Sequence, residues 1–255
     1  ESLIRRGRLD VEDWVLQAGM MQSSLLLLKT AAGSNQAAVA TLPMALFFHE
    51  DEVKLRQQLL QAAAVWQQDL EAFEGVLAVA YAIALALTEK LEFATLIPRT
   101  LAYIGTSQTP LVQQLEQVQT LLEQGGGLDT TLTQLRRDAQ RRGNASGCPY
   151  TSIALAFYCF LNTPEDFRLC VTRAALTGYQ PQITTALTGA LSGVYNSFTG
   201  IPVGWRLAAN QTLPGVQRLQ LADNLLAVWS GVYEVSATDQ FPRLAVAAPH
   251  VIQPR

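Results

Sequence analysis

Few side chains in this 255-residue sequence have the types and spacing of a general-purpose active site. Only two histidines occur, His49 and His250, far apart in the chain. A histidine-based metal site or a Cys–His nucleophile pair therefore has little material to work with. The three cysteines, Cys148, Cys159 and Cys170, make an odd count with no CxxC pair. That pattern reads as reduced thiols in a cytoplasmic protein. Cys159 and Cys170 fall in apolar stretches of helical period, where cysteine acts as a small buried hydrophobe. Arg136, Arg137, Arg141 and Arg142 form a local basic cluster, read as a solvated helix face. Lys plus Arg number 18 against 21 Asp plus Glu, for a net charge of −3, so no basic surplus exists to neutralise phosphates. A nucleic-acid partner is not expected.

The most informative stretch runs from Cys148 to Arg206. Within it, Gly178-Tyr179-Gln180-Pro181-Gln182-Ile183-Thr184-Thr185 places two carboxamides around a proline, just after a glycine turn. Pro181 stiffens that turn, and Thr184 and Thr185 can open a helix after it. Ala186, Gly189, Ala190 and Gly193 then recur at i, i+3, i+4 and i+7. Glycine inside a helix costs about 1 kcal/mol relative to alanine. A stripe of this kind implies compensation by a closely packed neighbouring helix or by a ligand. On residue physics alone, a tightly packed core helix is the reading.

The elements that must position these residues are helices. Apolar residues recur with helical period at Val11, Trp14, Val15, Leu25 and Leu28, then at Val53, Leu55, Leu59 and Leu60. They continue at Val76, Val79, Ala80, Ile83 and Leu87, and at Leu111, Leu115, Val118, Leu121 and Leu122. No stretch sustains period-2 alternation, so no sheet is expected. Asp10 reads as an N-cap. Thr163 reads as a cap before Pro164 at a first helical position, and Asp129 as a cap after Gly125-Gly126-Gly127. About half of the residues are hydrophobic and 15% are charged, enough to bury a large core. The longest apolar run, Val76 to Leu87, is shorter than the ~20 residues a membrane span needs, so no membrane partner is expected. Glycine-rich breaks at 125–127 and 143–147 are short enough to be loops within one domain. The expectation is one helical domain over 1–255, with 241–255 as an extended tail.

The order of these features resembles the ADP-ribosylglycohydrolase family. In that family a Gly-Gly-Asp-x-Asp-Thr loop opens a helix of the Ala-x-x-Gly-Ala-x-x-Gly type, followed by an Ile-Pro-x-x-Trp segment. Here these correspond to Gly178–Ile183, Ala186–Gly193 and Ile201–Trp205. Glu1–Asp10 is similar to the helix after the family's first metal motif. Ser34–Pro43 is similar to its Gly-Asn-Gly-x-x-Met-Arg-x-x-Pro loop, and Phe73–Ala80 to the apolar helix that follows. The resemblance implies an all-α fold, a single-domain orthogonal multi-helix bundle. It implies a central cleft that, in active members, binds two Mg²⁺ ions and hydrolyses the bond between ADP-ribose and a protein side chain. That chemistry needs hard oxygen ligands, an activated water and stabilisation of charge as the bond breaks.

This chain departs from the family where the metals bind. The Asp-x-Asp pair falls on Gln180 and Gln182, and the following threonine on Ile183, with Thr184 adjacent. Asn35 is kept, but its flanking glycines fall on Ser34 and Gln36, and the family's arginine on Ala40. The Thr-His pair falls on Val65 and Trp66. The first metal motif would lie ahead of Glu1. The expectation is a catalytically inactive, metal-free cleft with no catalytic residues and no cofactor. It would be lined by Asn35, Trp66, Gly178, Gln180, Gln182 and Thr184, and would bind ADP-ribose, a related nucleotide-sugar or a protein partner. Two other readings stand beside it. One is a surviving hydrolase drawing its acid from Glu50, Asp51, Asp69 or Glu74, all four read as helix-terminal or surface charges. The other is a structural helical subunit that oligomerises through its apolar faces.

Overall fold

A computed structural model describes residues 2–13, 34–66, 70–105, 109–141 and 150–232. Among the described residues there are helices and no strand, as the periodicity leads one to expect. Trp14, Val15, Leu25, Leu28, Asp69, Arg142, Cys148, His250 and the 241–255 tail lie outside the described residues. The chain forms two compact units, one of residues 1–27 with 203–255 and one of residues 28–202.

In the first unit, α1 (Ser2–Arg6) packs against α13 (Leu213–Trp229), and α12 (Val203–Asn210) packs against α13 as well. Asp10 caps the segment that follows it, its carboxylate accepting from the backbone N–H of Asp13 at 3.0 Å. Asp13 is itself buried and paired with Arg5 at 2.5 Å. Burial pushes its carboxyl up, but Ser2, Arg5 and Arg6 outweigh that and hold it below the usual carboxylate range.

The second unit holds the long helices. They are α2 (Ser34–Ala40), α3 (Leu42–Phe48), α4 (Glu52–Trp66), α5 (Leu70–Leu87), α6 (Leu96–Ile104), α7 (Pro110–Glu123), α8 (Leu128–Arg141), α9 (Thr151–Asn162), α10 (Phe167–Leu176) and α11 (Pro181–Gly200). The centre is α9. Every residue from Thr151 to Phe160 is buried, because α7, α8, α10 and α11 surround it. Phe157, Tyr158 and Phe160 are among the largest fully buried side chains, each worth about 2–3 kcal/mol of burial. The one polar tip in this group is satisfied: the Tyr158 hydroxyl donates to the Gly126 carbonyl at 2.7 Å. Cys159 and Cys170 are free and buried, as their apolar setting indicates. Burial pushes the Cys159 thiol up to about 12, against the opposing field of Arg173. On α4 the buried face is narrower than the sequence stripe. Leu55 and Leu59 are buried, while Val53 and Leu60 face solvent.

Several helix starts differ from the local sequence signals. Thr163 is not an N-cap; it follows α9 and its hydroxyl bonds back to Cys159. Asp166 caps α10 instead, accepting from the Leu169 N–H at 2.8 Å. Asp129 is not the cap of α8 but sits in its first turn. Pro181 does not merely stiffen a turn. It is the first residue of α11, which therefore opens before Thr184 and Thr185. In each case the tertiary packing that sets where a helix can begin outweighs a cap motif worth about 1 kcal/mol.

The small-residue stripe of α11 does face another helix, α10. A Cβ added at Gly189 would meet Val171 Cγ2 at 3.8 Å, and one at Gly193 would meet Phe167 Cε2 at 3.5 Å, both ordinary contacts. Neither glycine is required by a clash. Gly189→Ala is therefore expected to raise stability by up to about 1 kcal/mol, read as a shift of the urea midpoint; a clear loss would show that the helices are closer than described. Asp166→Ala is expected to cost about 1 kcal/mol while Thr163→Ala leaves the α10 start unchanged, which the same denaturation series measures.

Candidate functional site

The site is built at the end of the second unit where several helices begin. Three side-chain hydrogen bonds define that end. Thr109, the N-cap of α7, donates to the carboxylate of Glu74, fifth residue of α5. Gln114, fifth residue of α7, donates through Nε2 to Thr151 Oγ1, first residue of α9, at 3.0 Å. Ser152, the next residue, donates to Gln180 Oε1, at the N-cap of α11, at 2.8 Å. Each bond joins two helices within a turn or so of their starts, so the N-terminal parts of α5, α7, α9 and α11 are linked one to the next. The first backbone N–H groups of each of these helices have no partner within their own helix.

Gln180 carries the strain of the site. Its backbone is left-handed, with φ 38° and ψ 59°, a conformation that costs a residue with a Cβ roughly 1–2 kcal/mol. The Ser152 bond and the start of α11 at Pro181 hold it there. Gly178, two residues earlier, has φ +60° and open space where a Cβ would stand, so its glycine serves the turn and not a close approach. Thr184 is fully buried and holds the loop from inside, its hydroxyl donating to the Tyr179 carbonyl at 2.7 Å. Tyr179 lies under Arg136 of α8, whose guanidinium carbon is 5.5 Å from the ring centre. The basic cluster is thus not only a solvated face, since Arg136 reaches this loop.

The residues singled out from the sequence are partly brought together. Gly178, Gln180, Gln182 and Thr184 form one turn and first helical segment, with Gln180 and Gln182 exposed. Asn35 lies in α2, which packs against α5 and α11. Trp66 ends α4, which packs against α3 and α5. The side chains of Asn35 and Trp66 are outside what the structure describes. Of the alternative acids, Glu50 is exposed, and Asp51 accepts from the Lys54 N–H at 2.9 Å as a helix-terminal charge. Glu74 is different. It is not a surface charge but 3% exposed, in the interior beside Thr109.

Sequence reasoning missed Ser152, Gln114 and Arg136 as members of this end. Their partners are 28, 37 and 43 positions away, the last from Arg136 to Tyr179, and no local spacing signals such pairs. Ser152 had one available signal: a hydroxyl in the first turn of an otherwise unbroken apolar helix needs a partner.

The family model for ADP-ribosylglycohydrolases matches residues 4–234, and the chain belongs to that family. No curated protein matches it individually. The all-α architecture agrees with the family's fold. Among the described residues, no helix is long and apolar enough to cross a membrane.

The Ser152–Gln180 bond makes a quantitative expectation. Ser152→Ala should destabilise the unit by about 0.5–1.5 kcal/mol. Gln180→Gly should cost less than Gln180→Ala, because only glycine relieves the left-handed backbone. Equal losses for the two Gln180 variants, in chemical denaturation, would contradict the strain assignment.

Proposed function

We propose that this ADP-ribosylglycohydrolase-family protein is catalytically inactive and metal-free, and serves as a binding or interaction module for ADP-ribose, a related nucleotide-sugar or a protein partner. The observation that carries this reading is the pair Gln180 and Gln182 in the places of the family's Asp-x-Asp. Two Mg²⁺ ions require hard, anionic oxygens in near-octahedral array, and Mg²⁺ gives up its water reluctantly. Two carboxamides supply no charge, and the Gln180 oxygen already accepts a hydrogen bond from Ser152. Among the described residues, no three His, Cys, Asp or Glu side chains gather in one place. The donor set at α11 does not fit a dimagnesium centre, so no hydrolytic step is derived through one.

The residues present suit recognition. Gln182 offers an exposed carboxamide that can donate and accept, as a sugar hydroxyl requires. The buried free cysteines are consistent with the cytoplasmic location proposed for the chain.

Calorimetric titration of the full chain tests the reading. ADP-ribose is expected to bind and Mg²⁺ is not. Incubation with ADP-ribosyl-arginine and Mg²⁺ is expected to release no ADP-ribose. Saturable Mg²⁺ binding at two sites, or turnover, would overturn it.

A further inference from the structure

We draw no further inference here: the strongest candidate, the apolar surface that α12 and α13 leave exposed at Val203, Leu207, Leu213, Val216, Leu219 and Leu226, carries nothing because nothing in the structure shows what covers it.

Discussion

The arrangement at one end of the second unit depends on a single constraint: the starts of four helices must be linked one to the next. α5, α7, α9 and α11 bring their N-terminal turns together, and α6, α8 and α10 carry the chain back between them. Such an end concentrates backbone donors that no helix can satisfy internally. Glu74 with Thr109, Gln114 with Thr151, and Ser152 with Gln180 are the side-chain links that join these turns. Each link is worth only about 1 kcal/mol net. Their larger effect is to fix which first turn lies beside which.

The apolar core follows from the same arrangement. A central helix contacted by four others can have no polar face along its middle, and α9 has none from Ile153 to Phe160 except the Tyr158 hydroxyl, which reaches Gly126. Polar residues on α9 are therefore confined to its ends. Thr151 and Ser152 occupy the N-terminal end, where they serve the links. At the other end, the Asn196 carboxamide on α11 donates to the Pro164 carbonyl and to Ser192, tying the α9–α10 turn to the middle of α11. The links gather at the first end because the starts of α7, α9 and α11 lie there.

This division explains what was legible in the sequence. The helical class, the burial of Cys159 and Cys170 and the Asp10 cap were readable, since each depends on periodicity or on neighbours within four residues. The turn at Gly178 was readable for the same reason. The start of α10 at Asp166 and of α11 at Pro181 was misjudged, because Thr163 and Thr184 carry local signals that tertiary packing overrides. The burial of Glu74 was invisible: an acid in the first turns of an apolar helix has the same sequence signature whether it faces water or Thr109. The Ser152–Gln180 and Arg136–Tyr179 contacts join residues distant along the chain, so only the fold could reveal them. The family resemblance singled out the loop at Gly178–Ile183, but it said nothing of the Ser152 and Thr184 hydrogen bonds that hold it.

The resemblance sets Gln180 and Gln182 against the family's Asp-x-Asp, and glutamine is one methylene longer than aspartate and carries no charge. At residue 180 the carboxamide oxygen is turned to Ser152 within the protein. The scaffold does not need the carboxylates to close, since a carboxamide can accept the same serine proton. The loop ahead of α11 is thus held by neutral hydrogen bonds, from Ser152 to Gln180 and from Thr184 to the Tyr179 carbonyl, while Glu74 keeps a buried carboxyl group beside Thr109 at the same end.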